Sequence, residues 1–169
     1  MKLKSIIISQ YIASLEMMKQ VVNNCPESLW VNDEDSNKFW HIVYHALFYT
    51  HLYLAPSEGE FIPWSKHKEG YQFMGLLPWP PYEKPEIVEW YSKEDILEYL
   101  QICGIEVEDK TNRLEPEGKS GFSWIPMGKM ELQFYNIRHL QQHIGELCER
   151  LWVRDQIEID WVGMQPNGS

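Results

Sequence analysis

Asn136-Ile-Arg-His-Leu-Gln-Gln-His-Ile-Gly-Glu-Leu-Cys-Glu-Arg-Leu151 is the stretch from which the rest of the chain can be read. Leu140, Ile144, Leu147 and Leu151 recur at the three-and-four spacing of an amphipathic helix. His139 and His143 are four residues apart, so their imidazoles stand one above the other on a single helix face and can grip one metal ion. At about 100° per residue, His143 falls roughly 60° and His139 roughly 100° to the same side of the apolar centre. The spacing therefore predicts His143 facing the interior and His139 at its rim, on a helix from about Met130 to Asp155.

Three more helical segments lie upstream. Residues 3 to about 24 carry Ile6, Ile7, Tyr11, Ile12, Leu15, Met18, Val21 and Val22 at helical spacing, and Pro26 closes the run. Ser36 is the expected N-cap of a second helix from about Asn37 to Leu54, with Trp40, Tyr44, His45, Phe48 and Leu52 on one side and Pro56 as its stop. His45 falls inward among Phe48, Tyr49 and Leu52, whereas His51 points roughly 120° away and is a poor ligand candidate. His41, one turn before His45, forms a second pair at the same spacing and is expected at the rim or in support. His67 has no spacing argument in its favour.

Between Pro56 and Tyr91 the chain holds Pro56, Pro63, Pro78, Pro80, Pro81 and Pro85 among Trp64, Tyr71, Phe73 and Trp79. Connections beyond about 12 to 15 residues are uncommon and often serve as lids or crossovers. Ser92-Lys-Glu-Asp95 then matches a helix-opening capping pattern, and Ile96, Leu97, Leu100 and Ile105 continue a third helix toward Leu114. Gly118 to Gly128 is a second loop.

Four helices without a strand pattern of any size predict an all-α fold, a four-helix bundle formed by residues 1–169 as one domain. The long crossover between helices two and three lets those two run parallel, in an up-down-down-up order. Helices two and four are then antiparallel, which brings His45 toward His139 and His143. Three converging imidazoles make a metal site with one or more open positions. The competing reading is that each histidine only hydrogen-bonds at the edge of the core.

Composition narrows the function. A chain of 169 residues buries roughly 68 to 70% of its unfolded surface on folding, enough for a core without staples. Eight Trp and 14% aromatic residues exclude a disordered chain and predict aromatic-rich packing. A net charge of −10 with no basic run argues against nucleic-acid binding. No apolar run approaches the roughly 18 to 20 residues of a membrane span, and the N-terminus reads as the start of a helix rather than a leader. Cys25, Cys103 and Cys148 are odd in number and scattered, which predicts no disulfide framework and a reduced, cytoplasmic setting.

Several familiar sites are absent. The zinc-protease helix needs Glu directly after its first His, where Leu140 stands. The di-iron bundle needs Glu three residues before a His, and here Asn136 and Leu140 occupy those places. There is no phosphate-binding Gly loop and no nucleophile elbow. Cys148 lies on another face of its helix from His139.

Phe39-Trp-His-Ile-Val-Tyr-His-Ala-Leu-Phe-Tyr-Thr-His-Leu-Tyr-Leu54, Ser120-Gly-Phe-Ser-Trp-Ile-Pro-Met-Gly-Lys-Met-Glu-Leu132 and Tyr135-Asn-Ile-Arg-His-Leu-Gln-Gln-His-Ile-Gly-Glu-Leu147 together resemble the DinB-like (YfiT-like) superfamily of bacterial metal-binding four-helix bundles. The resemblance implies an up-down-down-up bundle, a divalent metal such as nickel or zinc, and frequently a homodimer. It places the first ligand on His45 and the remaining pair on His139 and His143. Where the family often has Gln after the Gly that follows the last ligand, this chain has Glu146.

Characterised members of that superfamily include transferases and isomerases that use low-molecular-weight thiols. The expectation for this chain is a metal-dependent enzyme that activates a small thiol at an open metal position, because coordination holds a thiol as the more nucleophilic thiolate. The alternative is a non-catalytic metal-binding or interaction module of the same fold, which a closed metal shell or a pocket filled by Trp64 or Trp79 would favour.

Overall fold

Ile7, Tyr11, Leu15, Met18 and Val22, spaced three and four apart, are all buried along α1, which spans Leu3–Asn24 in a computed structural model describing residues 3–32 and 34–165. Pro26 comes two residues after the end of α1, but it also opens a short helix, α2 (Glu27–Trp30), that the sequence pattern does not announce. Trp30 is buried, and its indole N–H donates to the Tyr91 carbonyl at 2.9 Å. The next helix, α3, spans Phe39–Leu54 and begins later than expected. Lys38, not Ser36, is its N-cap and makes no side-chain cap bond. Burial of Phe39 and Trp40 sets that end instead, and α3 is apolar nearly all round, as befits a central helix.

The helix α4 (Lys93–Arg113) opens on the expected capping box: Ser92 Oγ accepts from the Asp95 N–H, and Asp95 Oδ2 accepts from the Ser92 N–H. Glu94 and Asp95 in its first turn and Lys110 and Arg113 in its last suit the helix dipole. The last helix, α5, spans Lys129–Asp155 and ends at Gln156, whose left-handed backbone (φ 55°) lets the following Ile157 N–H return to the Leu151 carbonyl at 3.2 Å. The protein is all-helical, and no β-strand occurs among the described residues. None of these helices is long and apolar enough to cross a membrane.

Packing is mutual among the four long helices: α1 lies against α4 and α5, and α3 lies against the same two. A seam of polar side chains on α5 fixes how it meets α3. Lys129 Nζ donates to the carbonyls of Ala55, Pro56 and Ser120, Gln133 Nε2 donates to Tyr53 O at 3.2 Å, and Asn136 Nδ2 donates to Thr50 O at 3.0 Å. Numbers rise along one helix as they fall along the other, so the two run antiparallel. Continued by one more turn, the same seam brings His139 to His45.

The crossover from 55 to 92 is packed rather than loose. Trp64 is buried and stacks on Tyr99 with centroids 4.7 Å apart, and the Tyr91 hydroxyl donates to Lys66 O at 2.7 Å. Its start is pinned by the second loop. There Gly121 (φ 87°) lies so close that a Cβ would overlap the Pro56 carbonyl oxygen, and its own carbonyl accepts from the Glu58 N–H at 3.1 Å. Farther on, the crossover passes the carbonyls of Tyr71 and Gln72 over α3, where they meet two histidines.

Candidate metal centre

His45 from α3 and His139 and His143 from α5 each present a ring nitrogen within 4.8 Å of those of the other two. Ring centroids stand 5.1 Å (His45 to His139), 4.9 Å (His45 to His143) and 4.8 Å (His139 to His143) apart. The Nε2 atoms of His45 and His139 are 3.1 Å apart. Two nitrogens bound tetrahedrally at about 2.0 to 2.1 Å from one zinc ion would be separated by about 3.3 Å, so this pair already has the spacing of a shared ion.

Hydrogen bonds on the far side of the rings settle which nitrogens are free. The Gln72 carbonyl can only accept, so His45 Nδ1, 2.7 Å from it, carries the proton and leaves Nε2 as a bare lone pair. His143 Nδ1 lies 3.1 Å from Glu146 Oε2 and donates to it, which frees the Nε2 of His143. Glu146 is itself held by Arg150, at 3.0 Å from Oε1, and Arg150 also reaches Asp35 and donates to the Asn37 carbonyl at 2.8 Å. His139 has no such support. Its Nδ1 is buried without a partner among the described residues, and the ring is held by packing, parallel to Tyr135 and edge-on to Tyr49.

Burial keeps two of the three rings neutral. It holds His45 well below the ordinary imidazole value of 6.5, at about 3, against the opposing bond to Gln72 and with help from the neighbouring histidines. His139 is held at about 4 by burial and by His143. Neutral imidazole is the form that binds metal, so neither His45 nor His139 has to be deprotonated at neutral pH. Burial, with Tyr53 and Tyr135 adding to it, pushes the Tyr49 hydroxyl up to about 12, so it stays protonated beside the centre.

The other histidines are engaged elsewhere. His41 Nε2 donates to the Tyr71 carbonyl at 2.7 Å, bracing the crossover one turn from His45. His51 faces α4, with Nδ1 3.2 Å from the Tyr99 hydroxyl, and His67 Nδ1 is 2.6 Å from the Tyr44 hydroxyl. Cys25 and Cys103 are buried, and no thiol joins the histidine group. Trp64 packs on Tyr91 and Tyr99, and Trp79 on Phe73, so neither ring meets the three histidines.

Helical spacing identifies the three imidazoles but is blind to the groups that orient them. The carbonyls of Tyr71 and Gln72 are backbone atoms of a segment without periodicity, and no side-chain identity marks them. Glu146 was findable, since it lies three residues after His143 and so on the same face. Tyr49 and Tyr135 were also findable, each four residues from a ligand candidate. No family model matches the chain, and no curated protein or solved structure is significantly similar to it.

Proposed function

We propose that this is a divalent-metal protein of the DinB-like type, an up-down-down-up four-helix bundle in which His45, His139 and His143 hold nickel or zinc and leave a position open for a small thiol. The observation that carries this reading is the group of three converging imidazoles, two of them oriented by acceptors on their other nitrogen, with no fourth ligand in the group among the described residues. Catalytic zinc sites keep three protein ligands and an open position, whereas structural sites close the shell with four. The mutual packing of the four long helices and the antiparallel pairing of α3 with α5 support the bundle order.

When bound, a divalent ion supplies Lewis acidity, which lowers the pKa of a thiol or water that reaches it. The protein's own contribution is orientation and exclusion. The Gln72 carbonyl and Glu146 fix the His45 and His143 tautomers, and Tyr49 and Tyr135 confine His139. A small-thiol transferase is the activity this arrangement suits best. The free cysteines fit a reducing, cytoplasmic setting.

Metal content of protein purified without an affinity tag, followed by titration of the metal-free form with nickel and zinc, tests the site. One equivalent should bind, and His143→Ala should weaken binding at least a hundredfold. Unchanged affinity in that variant would remove the centre. Failure to turn over any of a broad panel of thiols with electrophilic acceptors would remove the transferase reading and leave the metal site standing.

A further inference from the structure

Arg138 stands next to His139 on α5 and is exposed. The other three arginines are all paired: Arg113 with Asp109 at 2.7 Å, Arg150 with Glu146 at 3.0 Å, and Arg154 with Glu34 at 2.8 Å. Arg138 makes no ion pair or hydrogen bond with any described residue. Acidic side chains outnumber basic ones 25 to 15 in this chain, so a shortage of carboxylates does not explain its isolation.

Its surroundings supply a reason. Tyr135, Arg138, His139, Gln141 and Gln142 line a depression of about 450 Å³, large enough for a small organic acid, and no acidic side chain is among them. His139 is both a wall of this depression and a member of the histidine group, so the depression and the centre share that ring, and Arg138 lies beside it. Gln141 is fixed by the Ser14 hydroxyl, which donates to its Oε1 at 3.1 Å. That bond leaves the Gln141 amide N–H groups as further donors.

The geometry points to Arg138 as the residue that anchors the carboxylate of a small acid whose other end reaches the histidine centre. This rests on the thiol reading above and makes the ligand a carboxylate-bearing thiol. A guanidinium fork matches a carboxylate with two parallel hydrogen bonds, and a cation beside a divalent ion adds to the attraction for anions. Arg138 is thus a specificity-determining residue, separate from the ligands.

The test uses nickel-loaded protein titrated with the series from mercaptopropionate to mercaptohexanoate and with the methyl ester of each, read by thiolate-to-nickel absorption. The acid of best-fitting length should bind about tenfold more tightly than its ester, with a preference that shrinks as salt is raised. Arg138→Gln should remove most of that preference and leave ester affinity within about twofold, since an exposed side chain is not needed for folding. If both series bind and the variant keeps the same acid-over-ester ratio, the role of Arg138 is refuted while the centre stands. If neither series binds the wild-type metal protein, the thiol reading itself is wrong and this inference goes with it.

Discussion

Glu146→Gln is the substitution that most directly probes how the centre is built. It keeps the length of the side chain and one carbonyl oxygen, but removes the charge and turns the other oxygen into an NH2 donor, so only one of His143 Nδ1 (3.1 Å) and Arg150 (3.0 Å) keeps its acceptor. Carboxylates that orient metal-bound histidines are typically worth ten- to a hundredfold in affinity. The Glu146 side chain is 39% exposed, so solvent screens part of its field and the expected loss is at the low end. About tenfold, or about 1.4 kcal/mol, is the expected weakening of zinc binding. Arg150 retains the Asn37 carbonyl at 2.8 Å and Asp35 at 3.5 Å, so the metal-free fold should change by less than about 0.5 kcal/mol. Competition with a chromophoric zinc chelator measures the first quantity, and thermal melts of the metal-free protein measure the second. Zinc affinity equal to wild type would refute the claim that this carboxylate organises His143. A loss confined to the melts would show that Glu146 serves only the Arg150 network.

Two other outcomes follow from buried charge. Lys129→Met leaves the carbonyls of Ala55, Pro56 and Ser120 without their donor, and should destabilise the protein by about 2 kcal/mol after allowing for the ammonium no longer being desolvated. The expected drop in Tm is about 4 to 8 °C, and an unchanged melt would contradict it. Burial lowers the pKa of His41, His45, His51, His67 and His139, so below about pH 6.5 the unfolded chain takes up protons that the fold refuses until values of about 4 for His139 and about 3 for His45. Stability of the metal-free protein should therefore be fully present above about pH 6.5 and fall steadily as pH drops from there. Equal urea midpoints at about pH 7.5 and about pH 5 would count against this assignment.

How much of this was legible varies by element. The helices α1, α4 and α5 follow their apolar spacing, and the Ser92 capping box marks the first residue of α4 because its chemistry is wholly local. The start of α3 was misplaced for the opposite reason. Ser36 has the better capping chemistry, but Phe39 and Trp40 must be buried, and packing overrides a local preference worth about 1 kcal/mol. The turn α2 escaped notice because Pro26 reads equally as the end of one helix and the start of the next. At the site, periodicity singles out His45, His139 and His143, while the lack of it hides the Tyr71 and Gln72 carbonyls that brace His41 and His45.

The seam of amide and ammonium donors along α5 works as a ruler. Gln133 and Asn136 each donate to a carbonyl in the last turns of α3, Lys129 donates to those of Ala55 and Pro56 just beyond it, and a slip of one helical turn, about 5.4 Å, would strand all of them at once. Leucine and isoleucine tolerate sliding; these bonds do not. The distance between the two halves of the histidine group is thereby set by side chains about one to three turns away. Mutating Gln133 or Asn136, neither of which hydrogen-bonds one of the three histidines, should accordingly blur the alignment of His139 with His45 before it unfolds anything.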